Sequence, residues 1–137
     1  MKSIVLYYSY SGKTKALAVK KAAELGADIE EVTEEKRYSI FRAFTVGAFG
    51  AIKRRKTKIV PIKAELKNYD QIIIMAPVWA GNPAPAFNNI IELIPPGKKV
   101  ELVMVSGGGG TKNSAEGTKA LVAARNCELT GYTDVKS

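Results

Sequence analysis

The sequence predicts an α/β fold built on a parallel sheet, and three observations carry that expectation. Apolar runs of strand length alternate with segments of helical periodicity along the whole chain. The run Ile72-Ile73-Ile74-Met75-Ala76 is continuously apolar, as a strand is when both faces of its sheet are covered. Loops rich in hydroxyls, proline or glycine follow the first, third and fourth strands, at the ends where open parallel sheets collect their ligands.

Residues 2–8 read as the first strand. Residues 13–26 read as a helix with Leu17, Ala18, Ala22 and Leu25 on one face and Gly26 at its end. Residues 28–33 alternate weakly, as a short edge strand does. From 39 to 55, Phe41, Phe44, Ala48 and Ile52 recur at helical spacing, although Gly47 and Gly50 lower the helicity, and this stripe is expected to be core. Residues 56–69 are polar, contain Pro61, and read as a connection. Residues 71–76 form the third strand, which Pro77 is expected to stop. A short helix at 85–93, a buried strand at 99–105, a helix at 111–126 and a last short strand at 127–135 complete a βαβαβαβαβ order.

Length and composition narrow the classes. At 137 residues and 46% hydrophobic content, one domain spanning 1–137 is expected, with enough apolar mass for a core. No charged, apolar leader opens the sequence and no apolar stretch approaches the ~20 residues that cross a bilayer, so a cytoplasmic protein is expected. The single Cys127 excludes an internal disulfide framework, and the absence of histidine excludes a Cys/His metal cluster or an imidazole base. The formal charge of +8 attracts anionic partners, which keeps nucleic acid as an alternative. The densest basic run, residues 53–58, has no interleaved aromatic and ends an amphipathic segment, where cations complement a helix C-terminus, so a solvated helix end is the favoured reading.

The first loop is Ser9-Tyr10-Ser11-Gly12-Lys13-Thr14-Lys15. A strand that ends in hydroxyls and a glycine and then opens a helix gathers free N–H groups and a positive helix end at one point, which suits a phosphate. Gly12-Lys13-Thr14 also ends like a nucleotide triphosphatase loop, but that motif needs a glycine five residues earlier and Tyr7 stands there. The remaining pattern offers Ser9, Ser11 and Thr14 hydroxyls, with Gly12 allowing close backbone approach.

The second loop, Pro77-Val78-Trp79-Ala80-Gly81-Asn82-Pro83-Ala84-Pro85, holds the only tryptophan between prolines that restrict the backbone. A rigid loop presenting one large flat ring suits stacking on another ring. The third loop, Ser106-Gly107-Gly108-Gly109-Gly110-Thr111, is an adaptable row of N–H donors. Neither of these loops contains an acid to hold magnesium, which weakens a phosphate-ester enzyme.

Together these loops resemble those of the short-chain flavodoxin-like proteins, and the likeness covers almost the whole chain. The resemblance implies a doubly wound five-stranded parallel sheet of order 2-1-3-4-5, bound flavin mononucleotide (FMN) and electron transfer. It assigns Ser9, Ser11, Gly12 and Thr14 to the phosphate, Trp79 to the flank of the ring and Ser106, Gly107, Gly108, Gly109 and Gly110 to its other side, with Tyr10, Lys13, Pro77, Val78, Ala80, Gly81 and Asn82 also in the cofactor-binding loops. In such proteins the peptide at the position of Gly81 turns over to follow protonation of flavin N5. The implied partner is a redox protein or a small-molecule electron donor or acceptor. The close variant is an FMN-dependent NAD(P)H or quinone reductase, and the alternative class is a flavin-free basic binding module.

Three features depart from that family. A basic surround stabilises the negatively charged reduced flavin relative to the acidic surround usual in electron-carrying flavodoxins. The glycine loop lacks the aromatic that often covers the second ring face. The family adds a helix after strand 5, whereas this sequence stops at Ser137. Right-handed crossovers then leave helix 1 alone on one face, with strands 3 and 4 wet beside it, and a second copy of the chain is expected to cover them.

Overall fold

Residues 1 to 137 are all described by the structure, a computed structural model. Five strands, β1 (Ser3–Tyr7), β2 (Asp28–Glu31), β3 (Gln71–Trp79), β4 (Lys99–Ser106) and β5 (Glu128–Lys136), pair in parallel in the order 2-1-3-4-5. A two-residue strand, Asn82–Pro83, folds back antiparallel on the end of β3. The expected doubly wound parallel sheet, with its order 2-1-3-4-5, is the one observed.

The crossovers carry α1 (Lys13–Leu25), the helical segment α2 (residues 40–52), α3 (Pro85–Leu93) and α4 (Ala115–Ala124). Side chains alternate across the sheet, as the two-residue period of a strand requires. Ile4, Leu6, Ile72, Ile74, Leu102 and Met104 meet Phe87, Ile90 and Ile91 of α3 and Val122 of α4 in the larger core. Val5, Tyr7, Ile73, Met75, Val103 and Val105 face Ala18 and Ala22 of α1 on the other side.

That second core corrects one expectation. Ile73, Met75, Val103 and Val105 are all at most 5% exposed in the single chain. Helix α1 lies across them, and Lys21 reaches over to Glu101 on β4 (2.9 Å), its stem shielding the rim. The burial that a second copy was expected to supply, roughly 1.5–3 kcal/mol per large side chain, is already made within one chain. No helix follows β5 in these residues.

Pro77 does not stop β3, which runs on to Trp79. Met75 accepts from Tyr8 N–H on the β1 side, and strand alternation points residue 77 to that same side. The next bond of that ladder would run from residue 77 N–H to the Tyr8 carbonyl, so Pro77 ends the β1–β3 pairing there, while on its other edge β3 stays paired with β4 as far as Val105. The last strand is long, nine residues rather than a short stub, because β4 offers it a full-length parallel partner.

Segment α2 departs furthest from expectation. Ser39 caps it, its Oγ accepting from Arg42 N–H (3.2 Å), and residues Ala43–Gly47 form a π turn between two short α turns. The apolar stripe is not core: Phe41 is 75% and Phe44 80% exposed, and Ile52 is half-exposed. Only Gly47, Gly50 and Ala51 are buried, since small residues let this segment lie close on Trp79 and Pro85 while its large side chains point away. No helix is long and apolar enough to cross a membrane.

Candidate functional site

The three loops singled out in the sequence converge at the C-terminal edge of β1, β3 and β4. After β1, Gly12 takes φ +98°, a left-handed conformation that favours glycine, and turns the chain into α1. Ser9 Oγ accepts from the N–H groups of Gly12 (3.2 Å) and Lys15 (3.1 Å), so the loop folds over the helix N-terminus. The amides of Ser11, Lys13 and Thr14 take no acceptor from the chain. Ser11, Gly12 and Lys13 are exposed, whereas Thr14 is 2% exposed and faces inward. The result is a small hollow of N–H donors at a positive helix end, an anion-binding arrangement.

Pro77, Val78 and Trp79 belong to β3, and the second loop shrinks to the turn Ala80-Gly81, with Val78 paired to Pro83 and Trp79 to Asn82. Both turn residues have positive φ (53° and 79°), the pattern of a type I′ hairpin. Ser114 Oγ donates to the Gly81 carbonyl (2.6 Å), and Asn82 Nδ2 donates to the Ala80 carbonyl (3.4 Å). The Gly81–Asn82 peptide is therefore held by the start of α4, while the Ala80–Gly81 peptide has only the weak Asn82 tether.

Trp79 is not a ring presented on a loop. Tyr8, Tyr10 and Tyr38 meet it edge-on at centroid distances of 6.1, 5.6 and 5.7 Å. Gly47 of α2 packs on the ring so tightly that a Cβ there would lie 2.7 Å from the indole. The ring still borders a cavity of about 280 Å³ lined entirely by apolar or aromatic residues, among them Tyr10, Ile40, Phe44, Val78 and Ala80. Tyr10 is fixed in this wall, its hydroxyl donating to the Tyr38 carbonyl (2.8 Å) and its ring lying under Arg37.

A second hollow of about 310 Å³ shares Val78 and Ala80 with the first and runs on to Gly81, Ser106, Gly107, Gly109, Gly110 and Lys112. Ser106 Oγ accepts from Gly110 N–H (3.2 Å) and draws the glycine loop shut. Gly107, Gly108 and Gly109 have open space where a side chain would stand. Behind them Tyr132 donates to Thr111 Oγ1, which donates to Asp134 (2.7 Å), tying the loop to β5. Burial pushes the Tyr132 phenol above its ordinary value, which keeps it a donor.

Together the two hollows form a groove with an apolar wall at Trp79 and Tyr10 and an N–H-rich wall at the glycine loop, next to the helix end of the first loop. These residues fit FMN: a phosphate at the α1 amides and a flat ring beside Val78 to Gly81. Apart from Thr14, whose side chain is turned inward, the structure brings to this edge the sequence-derived candidates in all three loops.

Four residues of the site were not singled out in the sequence. Ser114 was placed inside a helix; its position at the helix start after a glycine loop was the available signal. Arg54 was grouped with solvated cations, yet its guanidinium is partly buried and donates to the Ser114 carbonyl (3.0 Å), in space that only Gly117 leaves free. Tyr8 and Glu34 pair behind Trp79 (2.6 Å). Burial raises the Glu34 carboxyl and leaves its second oxygen without a partner, and burial together with Glu34 pushes the Tyr8 phenol far up. Nothing local marks that pair, since residue 34 joins residue 8 only through the β1–β2 crossover.

Known proteins sharpen this picture. A flavoprotein from Lactobacillus acidophilus NCFM, solved in complex with FMN, is 25% identical, with 97% of this chain and 92% of that one covered and a TM-score of 0.81. A flavoprotein from Bacteroides eggerthii DSM 20697 is 24% identical, covering 96% and 87%, with a TM-score of 0.83. Oxidised flavodoxin 2 from Bacillus cereus is 20% identical, covering 99% and 86%, with a TM-score of 0.58. No curated protein sequence matches the chain. Residues 1–129 match the profile described as NADPH-dependent FMN reductase, and the chain belongs to that family.

Proposed function

We propose that this protein, one domain over residues 1–137, binds FMN at the C-terminal edge of its sheet and passes electrons between a donor and an acceptor. The observation that carries the proposal is the pairing of the free amides of Ser11, Lys13 and Thr14, at and just before the start of α1, with the apolar and N–H-rich walls of the adjoining groove. FMN, when bound, supplies one- or two-electron redox chemistry; the protein supplies orientation and charge. Ser9, Ser11, Gly12, Lys13 and Thr14 hold the phosphate. Pro77, Val78, Trp79, Ala80, Gly81 and Asn82 support one side of the ring, and Ser106, Gly107, Gly108, Gly109 and Gly110 bring N–H groups to the other, where negative charge accumulates on reduction.

A reductase in which NADPH meets the ring is the second reading. The open space above Gly107, Gly108 and Gly109 supports it, because no side chain there blocks a second flat molecule, and so does the family description. Anaerobic mixing of the FMN-loaded protein with NADPH separates the two. A reductase bleaches the flavin absorbance within seconds and turns over with added acceptor. A carrier leaves NADPH unconsumed without a partner reductase. Retention of no FMN at micromolar concentrations would overturn both.

A cytoplasmic location belongs to the same proposal. A second copy on the α1 face, expected from the sequence, loses its main support now that Ile73, Met75, Val103 and Val105 are buried within one chain.

A further inference from the structure

The exposed apolar segment and the charge of the protein coincide. Residues 36–58 contain eight Lys and Arg and no Asp or Glu, so this stretch carries a charge equal to the +8 of the whole chain, and the rest is balanced. Within it Ile40, Phe41, Phe44, Val46, Phe49 and Ile52 stand between 48% and 80% exposed. Ile40 and Phe44 line the neighbouring groove, where the proposed flavin would cover them. Phe41, Val46, Phe49 and Ile52 lie outside that lining and stay uncovered.

We propose that residues 36–58 dock the protein on an anionic lipid bilayer surface, with the apolar side chains of α2 in the acyl boundary and the flanking cations at the headgroup phosphates. A second copy is disfavoured as the occupant, because it would bring two strongly positive segments together. A bilayer is favoured over a protein pocket because every charge in the segment is positive and the cations flank the apolar side chains at both ends, which a uniformly anionic surface complements. The exposed apolar side chains are flanked by exposed cations, Lys36 and Arg42 toward one end and Lys53, Arg55 and Lys58 toward the other. Lys53 and Arg55 sit over the Phe49 ring (5.8 and 4.9 Å), so cation and apolar contact occur at one level, as at a headgroup boundary. A short amphipathic helix with cations beside aromatic and aliphatic side chains lies on a bilayer and does not span it.

The test is co-sedimentation of the FMN-loaded full chain with vesicles of phosphatidylcholine, alone or with about a third phosphatidylserine. The expected result is a partition coefficient on the anionic vesicles at least ~10-fold above that on the neutral ones, falling steeply from 0.1 to 0.5 M salt. The double variant Phe41→Ser/Ile52→Ser, neither residue part of the groove lining, loses at least ~10-fold of that binding with its circular dichroism unchanged. Equal partition on the two vesicle types overturns the proposal. So does wild-type binding by the variant, which would mean adsorption by charge alone. A sedimenting dimer in the absence of vesicles that the variant dissociates also overturns it, since a second copy then occupies the patch.

Discussion

Replacing Gly47 by alanine tests how tightly the groove wall is built. Its backbone (φ −66°, ψ −46°) is helical, so an L side chain brings no backbone strain. Alanine at a helical position gains about 1 kcal/mol over glycine from propensity alone. Against this, the new Cβ would stand 2.7 Å from Trp79 Cζ3 and 3.0 Å from Cε3. Ordinary contact begins at 3.4 Å, so the indole and α2 must separate by roughly 0.7 Å. The indole cannot retreat freely, because Tyr8, Tyr10 and Tyr38 hem it on other sides. Overpacking of this kind costs about 1–3 kcal/mol, leaving a net loss of about 0–2 kcal/mol. Stability alone therefore decides little, and ring position decides more. We expect Gly47→Ala to shift the Trp79 emission maximum and to weaken FMN binding about tenfold, or ~1.4 kcal/mol, in a fluorescence titration. A variant about 1 kcal/mol more stable in urea, with unchanged emission and FMN affinity, would show that Trp79 is not wedged.

Two further substitutions probe neighbouring contacts. Ser114→Ala removes the hydroxyl that holds the Gly81 carbonyl at 2.6 Å, and is expected to cost about 1 kcal/mol in urea unfolding; unchanged stability together with unchanged amide exchange at Asn82 would refute the tether. Glu34→Gln removes a carboxyl whose folded pKa is raised above the ordinary 4.5, first by burial. A raised carboxyl pKa means the folded state holds its proton more tightly, so this group's contribution is present below pH 4.5 and is lost as pH rises through the folded value. The melting temperature of Glu34→Gln minus that of the wild type is accordingly expected to grow from pH 4.5 to pH 7, and a constant difference would contradict the burial argument.

The sheet was legible because its signal is local: alternating strand and helix periods, and apolar runs that only a sheet covered on both faces can hide. The convergence of the three loops follows from parallel connectivity, so their place at one edge was legible as well. What escaped reading depended on partners distant in sequence. The apolar spacing of Phe41, Phe44 and Ile52 is that of a buried helix, and only the position of Gly47 and Gly50 against Trp79 and Pro85 turns those rings outward. Pro77 ends the pairing on the β1 side only, and β3 runs on because its other edge keeps β4 as partner. Arg54 looks like one cation of a run until Gly117, more than sixty residues later, makes room for it. The exposure expected beside α1 failed because Lys21 and Glu101 close that rim, a pairing that no single segment encodes.

Parallel titrations with FMN and with riboflavin, followed by quenching of flavin fluorescence, test the central claim most directly. If the α1 amides and the Ser9 loop grip the phosphate while the groove holds the ring, FMN binds at least ~100-fold more tightly than riboflavin, about 2.7 kcal/mol, and both are quenched when bound. Equal affinities, or no quenching by either flavin at micromolar protein, would contradict the assignment of that edge of the sheet as an FMN site.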